Sequence, residues 1–150
     1  MRRLALLVAC VPLALAACVG PARSFTAYEG KAGATAETAL SAVQTARLTA
    51  ENATRGRAFG PYVSVVLSES EEQASSAQGL FDSIQPPDAP SDDLRTELDA
   101  ILDHAIEVLA DLRITARRHR LDLLRAIARP LKDVAADLVA FTEAHPTSPR

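Results

Sequence analysis

Tryptophan is missing from these 150 residues, and phenylalanine and tyrosine together make up only 4%. A chain so poor in flat rings has little surface for stacking sugars or bases. Cysteine is nearly as scarce: Cys10 and Cys18 are the only two, both within the first 18 residues. The body therefore has no thiol for a disulfide, a zinc site or a nucleophile. No His-Glu-x-x-His, Gly-x-Ser-x-Gly, phosphate loop or dinucleotide fingerprint occurs. The three histidines are preceded, three residues earlier, by Ile101, Ala116 and Thr142. The Glu-x-x-His element of di-metal helical bundles is thus absent, and His104, beside Asp103 and three before Glu107, reads as a solvated helix face. Ser68, Ser70, Ser75 and Ser76 have no partner base. Glu69, Glu71, Glu72 and Asp82 lie on a helix surface without the cleft that paired catalytic carboxylates need. The expectation is no catalytic residue, no metal and no cofactor: not an enzyme.

What is present begins at the N-terminus. Arg2 and Arg3 precede an apolar run over residues 4–15, interrupted by Pro12, and Ala16 and Ala17 lead into Cys18. A positive start, a short apolar middle and a small-residue exit make a secretory signal, too short for a membrane span. The ending Leu15-Ala16-Ala17-Cys18 resembles the lipobox of bacterial lipoproteins. That resemblance implies cleavage before Cys18 and a diacylglycerol on its thiol, and two buried acyl chains anchor stably where one is marginal. Ordinary cleavage at the small pair Ala14 and Ala16 is the alternative. Val19, not aspartate, follows the cysteine, so by likeness to Gram-negative sorting an inner-membrane retention signal is missing. The expected organisation is a signal peptide over 1–17, a lipidated tether over 18–24, a helical bundle over 25–144 and a disordered tail over 145–150. The location expected is the extracytoplasmic face of the cell membrane, reached through lipid on Cys18. The body, notably Phe25-Thr-Ala-Tyr-Glu-Gly-Lys31 and Ser83-Ile-Gln-Pro-Pro-Asp88, resembles short alanine- and arginine-rich lipoproteins of high-GC Gram-positive bacteria. That second resemblance implies no activity and no site.

Removing residues 1–17 leaves 133, the size of one domain. Loss of Arg2 and Arg3 leaves 14 basic against 19 acidic residues, a net charge of −5, which argues against nucleic acid as a partner. Alanine and leucine dominate, and both favour helix. Apolar positions recur at alternating spacings of three and four. The first seam is Ala36, Leu40, Val43, Ala46 or Arg47, and Ala50, in a helix over 25–53 whose start Gly30 and Gly33 weaken. A connection follows, with Gly56 suited to a helix end and Pro61 to a helix start. The second helix, over 62–84, carries Val63, Leu67, Ser70, Ala74, Ala77, Phe81 and Ile84; Ser70 is expected to bond the preceding turn.

Pro86, Pro87 and Pro90 make the clearest break. Ser91 is then expected to cap a third helix, with seam Leu94, Leu98, Ile101, Ala105, Val108, Leu112 and Thr115. The fourth pattern runs Leu121, Leu124, Ala128, Leu131, Ala135, Leu138 on to about residue 144. No glycine or proline separates the last two patterns, yet one helix over 91–144 would be about 80 Å long. A reversal at 117–121, with Pro130 as a kink, is therefore expected, and a turn beside Pro130 competes with it. The fold class predicted is all-α: an antiparallel, up-down-up-down four-helix bundle.

Charge is segregated. Residues 69–111 hold twelve acids and one base, Arg95; residues 113–132 hold seven bases and one acid, Asp122. On the expected bundle, the end away from the membrane collects Arg55, Arg57, Arg113, Arg117, Arg118, Arg120 and Arg125. The membrane side collects Asp82, Asp88, Asp92, Asp93, Glu97 and Asp99. Pairs such as Arg118 with Asp122 and Arg129 with Asp133, spaced i, i+4, would account for part of the charge. The surplus arginines are candidates for docking an anionic partner, such as an envelope polymer, a phosphate-bearing ligand or an acidic protein face. The function expected is binding or scaffolding at the cell envelope; the alternative is a small-ligand carrier with a pocket inside the bundle. Replacing Cys18 with Ser should move the protein from the detergent phase to the aqueous phase in a phase-partition experiment. Unchanged partition would remove the lipid anchor from this reading.

Overall fold

The computed structural model describes residues 22–147. The expected signal, Cys18 and the start of the tether lie outside the described residues, as do residues 148–150. Within them the chain is all-helical, with no strand among the described residues: α1 (Phe25–Thr54), α2 (Gly60–Asp82), α3 (Ala89–Arg117), a 3-10 turn (Leu121–Leu123), α4 (Leu124–Ile127) and α5 (Leu131–Ala144). Five α helices thus stand where four were expected. The last expected helix starts as a 3-10 turn and is broken between Ile127 and Leu131, where Pro130 caps the start of a new helix instead of kinking a continuous one.

The ends are set by local chemistry. Ser24 Oγ accepts the Ala27 amide at 3.3 Å and starts α1. Gly56, at φ +69, closes it: the Gly56 amide bonds to the Ala53 carbonyl at 3.0 Å and the Arg57 amide to the Asn52 carbonyl at 2.9 Å. That pair of bonds is the Schellman motif. The end of α3 repeats it with His119 in the glycine position. His119 has φ 57, its amide bonds to Ala116 O at 2.9 Å, and the Arg120 amide bonds to Thr115 O at 3.1 Å. The expected break at 117–121 is there, made by a left-handed histidine. α3 begins earlier than expected. Asp88, not Ser91, is the cap, accepting both the Ser91 amide at 3.1 Å and the Ser91 hydroxyl at 2.6 Å, with Pro90 tolerated in the first turn.

α1 packs against every other helix, α2 lies against α1 and α3, and α3 also meets α5. Its buried face is mostly alanine: Ala32, Ala36, Ala39, Ala42, Ala46 and Ala50 are fully covered, with Tyr28 and Val43. Small side chains let neighbouring helices come close, and the partners supply the bulk: Leu67 and Phe81 from α2, Leu98, Leu102, Leu109 and Leu112 from α3, and Leu131 and Leu138 from α5. The expected seams were too narrow. Leu40, Ala77, Ile101, Thr115 and Leu121 are only partly covered, while Leu102, Leu109, Ala116 and Val134 are buried. Helices with several neighbours bury a wider arc than a strict seam. Ser70 bonds back to the Val66 carbonyl at 2.9 Å, as expected.

The segment after α5 has partners of its own. His145–Thr147, expected as part of a disordered tail, lie across the start of α1. His145 Nδ1 is 3.0 Å from Glu29 Oε1, and its ring packs on Phe141 at 4.7 Å between centroids. Gly30 and Gly33 make the approach possible. A Cβ on Gly30 would sit 3.1 Å from the Thr147 carbonyl oxygen, and one on Gly33 would collide with the carbonyl of His145. Gly33→Ala should therefore lower stability by about 1–3 kcal/mol. His119→Gly should raise it by up to about 1 kcal/mol, relief of left-handed strain outweighing the added unfolded-state entropy. Urea unfolding of the two variants checks both signs.

Candidate functional site

Two joints form one end of the molecule. The Thr54 hydroxyl at the end of α1 lies 3.4 Å from the Leu121 carbonyl, and a Cβ at Gly60 would meet the Leu121 side chain at 3.9 Å. The segments 52–68 and 112–121 that build this end contain six arginines and no carboxylate. Both Schellman caps, at Gly56 and His119, turn the chain here and carry arginines on their flanks.

The seven expected arginines divide into two groups. Arg113 is held by Glu71 of α2, its Nε and Nη2 reaching the two carboxylate oxygens, and that hydrogen bonding holds it more firmly in its charged form. Arg55 pairs with Glu51 at 2.6 Å and Arg120 with Asp122 at 3.5 Å. Arg57, Arg117, Arg118 and Arg125 are exposed, with no carboxylate within ion-pair distance among the described residues. The expected Arg118–Asp122 and Arg129–Asp133 pairs do not form. α3 ends at Arg117 and α4 at Ile127, so Arg118 and Arg129 both lie outside a helix and neither pair has the i, i+4 geometry of a continuous one.

Phe59 and Tyr62 were not anticipated as site residues. They are 70% and 52% exposed, stacked at 6.0 Å between centroids, with Val65 exposed one turn further on. The Phe59-Gly60-Pro61-Tyr62 order, with aromatic residues on both sides of a Gly-Pro helix start, was the available signal. The end thus combines unpaired cations with uncovered apolar surface.

A second feature lies on the flank. Gln44, Arg47, Leu48 and Glu51 of α1 form one wall of an open groove of about 490 Å³, and Arg125, Arg129 and Lys132 form the other, over Ala128. Of these cations only Arg125 was expected as a site residue. Arg47 had been an alternative core position, and Arg129 and Lys132 fall beside the break at Pro130 that redirects the chain. A further groove of about 350 Å³, between α1 and α2, is lined by Thr35, Thr38, Gln73, Ser76 and Leu80 among others. Its Thr35 and Thr38 hydroxyls already donate to the Lys31 and Ala34 carbonyls.

The opposite end is closed on itself. Arg95 Nε donates to the Tyr28 hydroxyl at 2.9 Å, and Nη2 donates to the carbonyls of Asp82, the last residue of α2, and of Ile84 just beyond it. A cation there complements the negative end of the helix dipole. The guanidinium also lies 6.0 Å from the Tyr28 ring centroid and 5.9 Å from that of Phe81. Burial pushes the Tyr28 hydroxyl above its usual range. Burial, then the Asp82 carboxylate, push the Asp99 carboxyl up against the pull of Arg95, and Asp99 Oδ1 is buried without a hydrogen-bond partner. The folded chain therefore keeps a proton that the unfolded chain has already released, so stability falls as pH rises from the ordinary aspartate range through the raised value. Asp99→Asn should raise the Tm by a few degrees, of order 2–4 °C, at pH 7. The gap should shrink as pH falls below about 4, where the unfolded carboxyl is also protonated. Melting curves across that window test it.

Among the described residues no three His, Cys, Asp or Glu side chains gather to hold a metal ion, and no helix is long and apolar enough to cross a membrane. No protein-family model matches the chain, and neither a curated protein nor a solved structure does.

Proposed function

We propose that the chain is a lipid-anchored protein of the cell envelope, held on the extracytoplasmic face through Cys18, that acts by docking an anionic partner at its arginine-rich end. In this reading the architecture is an antiparallel up-down-up-down bundle, with α4 and α5 together as the fourth leg. Contacts between opposite ends of paired legs support it: Tyr28 at the start of α1 against Phe81 at the end of α2, and, between α1 and the last leg, Thr54 beside Leu121 and Glu29 beside His145. α1, with 30 residues, is about 45 Å long, so the arginine end would stand far beyond the screening length of the anchoring bilayer.

One observation carries the reading: Arg57, Arg117 and Arg118 are unpaired and exposed at an end whose two segments contain no acid. Such a surface favours anions and repels like-charged partners. Binding rather than catalysis fits the hydroxyls, since Ser68, Ser70 and Ser83 all donate to nearby helix carbonyls. Docking at the surface also fits the core better than a carrier's internal pocket. Thr49, Ser70 and Ser91 are the buried polar residues among those described, and Ser70 and Ser91 have their hydroxyls engaged. Retention on an anionic envelope polymer should be strong at about 50 mM salt and largely lost at about 300 mM. The triple replacement of Arg57, Arg117 and Arg118 by Ser should abolish it with the melting temperature unchanged. Retention equal to wild type in that variant would sink the proposal.

A further inference from the structure

The flank groove between α1 and the α4–α5 junction brings four cations to one place. Arg47, Arg125, Arg129 and Lys132 surround it, and Gln44 adds an amide at the rim. Arginine and lysine only donate hydrogen bonds, so these groups cannot satisfy one another. The one carboxylate in the lining, Glu51, is already paired with Arg55 at 2.6 Å. What fits must bring acceptors and negative charge. The volume, about 490 Å³, lies within the range of small-molecule sites. From Gln44 to Glu51 the α1 wall spans seven residues, about 10 Å, with room for two anionic groups in line. Two phosphoryl groups carry about −2 as successive diesters and about −3 as a free diphosphate at neutral pH, so either finds a surplus of positive charge in the four cations. A single carboxylate presents two oxygens in one plane, matched by one guanidinium, and would leave the other cations unanswered. No aromatic ring lines the groove to stack a base.

We infer that this groove binds a ligand carrying two neighbouring phosphoryl groups. The inference goes beyond docking at the arginine end and does not rest on it, although Arg125 borders both. Arg129 and Lys132 grip the ligand from the turn around Pro130, and Arg47 closes on it from α1. Leu48, 62% exposed, offers an apolar rim to whatever joins the phosphoryl groups. Such a ligand is either a free soluble diphosphate or two successive phosphates of a polyol chain.

Isothermal titration of the full chain in detergent, with sodium pyrophosphate and separately with poly(glycerol phosphate), tests the inference, with citrate as the carboxylate control. Binding of at least one phosphate probe is expected, weakened about tenfold or more by Arg129→Ser with Lys132→Ser. Gln44→Glu, an exposed helix position at the rim, should weaken it by repulsion without removing any contact. Arg117→Ser with Arg118→Ser should leave it intact, which separates this site from the end of the molecule. Binding of pyrophosphate identifies the free diphosphate as the source; binding of the polymer alone identifies the chain. Absence of binding to both probes, equal binding of citrate, or wild-type binding by the two groove variants would overturn it.

Discussion

Everything in this molecule leans on the alanine face of α1. Six fully covered alanines make that helix thin enough for α2, α3 and α5 to pack on it together. Helix axes approach more closely when the side chains between them are small. Alanine is also the best intrinsic helix former, so the 30-residue helix that must serve every neighbour is favoured before any neighbour arrives. The apolar area that drives association comes chiefly from the partners, through leucines and Phe81 that lie down on the alanine surface. The same constraint reaches its limit at Gly33, where even a methyl group would collide with the carbonyl of His145.

The first three helices could be read from periodicity because proline and glycine punctuate them. The reversal after α3 was legible only from length, since the residue that makes it is His119, which nothing in a sequence pattern marks as left-handed. The split between α4 and α5 was hidden for a different reason. Apolar spacing passes across Ala128 and Leu131 without a gap, so Pro130 looked like a kink in a continuous stripe. Ser91 looked like a cap because serine before two aspartates usually is one; Asp88 outcompetes it by accepting two bonds from it. The clustering of arginines at one end was legible from charge segregation. Which of them are free was not, because Arg113 is neutralised by Glu71, 42 residues away in sequence. The flank groove was hidden because its walls come from distant segments, one of which had been read as core.

The two ends show opposite uses of the same functional group. At one, Arg95 is wrapped by a phenol, two rings and two backbone carbonyls, and its charge stabilises a helix terminus. At the other, Arg57, Arg117 and Arg118 follow or flank tight caps that hold their backbones firmly while leaving the side chains in water. Fixed backbones reduce the ordering cost of meeting a partner. Desolvation of the guanidinium groups is deferred until something with complementary charge arrives.

The seam between Gly33 and His145 has a consequence for how such a chain can drift over generations. The overlying 145–147 segment brings its main-chain carbonyls down onto Gly30 and Gly33 of α1. Every amino acid brings the same carbonyl, so Pro146 and Thr147 are loosely constrained in identity, while position 33 tolerates nothing larger than hydrogen and position 30 leaves a methyl group little room. Related chains would then be recognised by an invariant glycine at the position of Gly33, near the start of an alanine-rich helix, even where their last residues share no likeness at all.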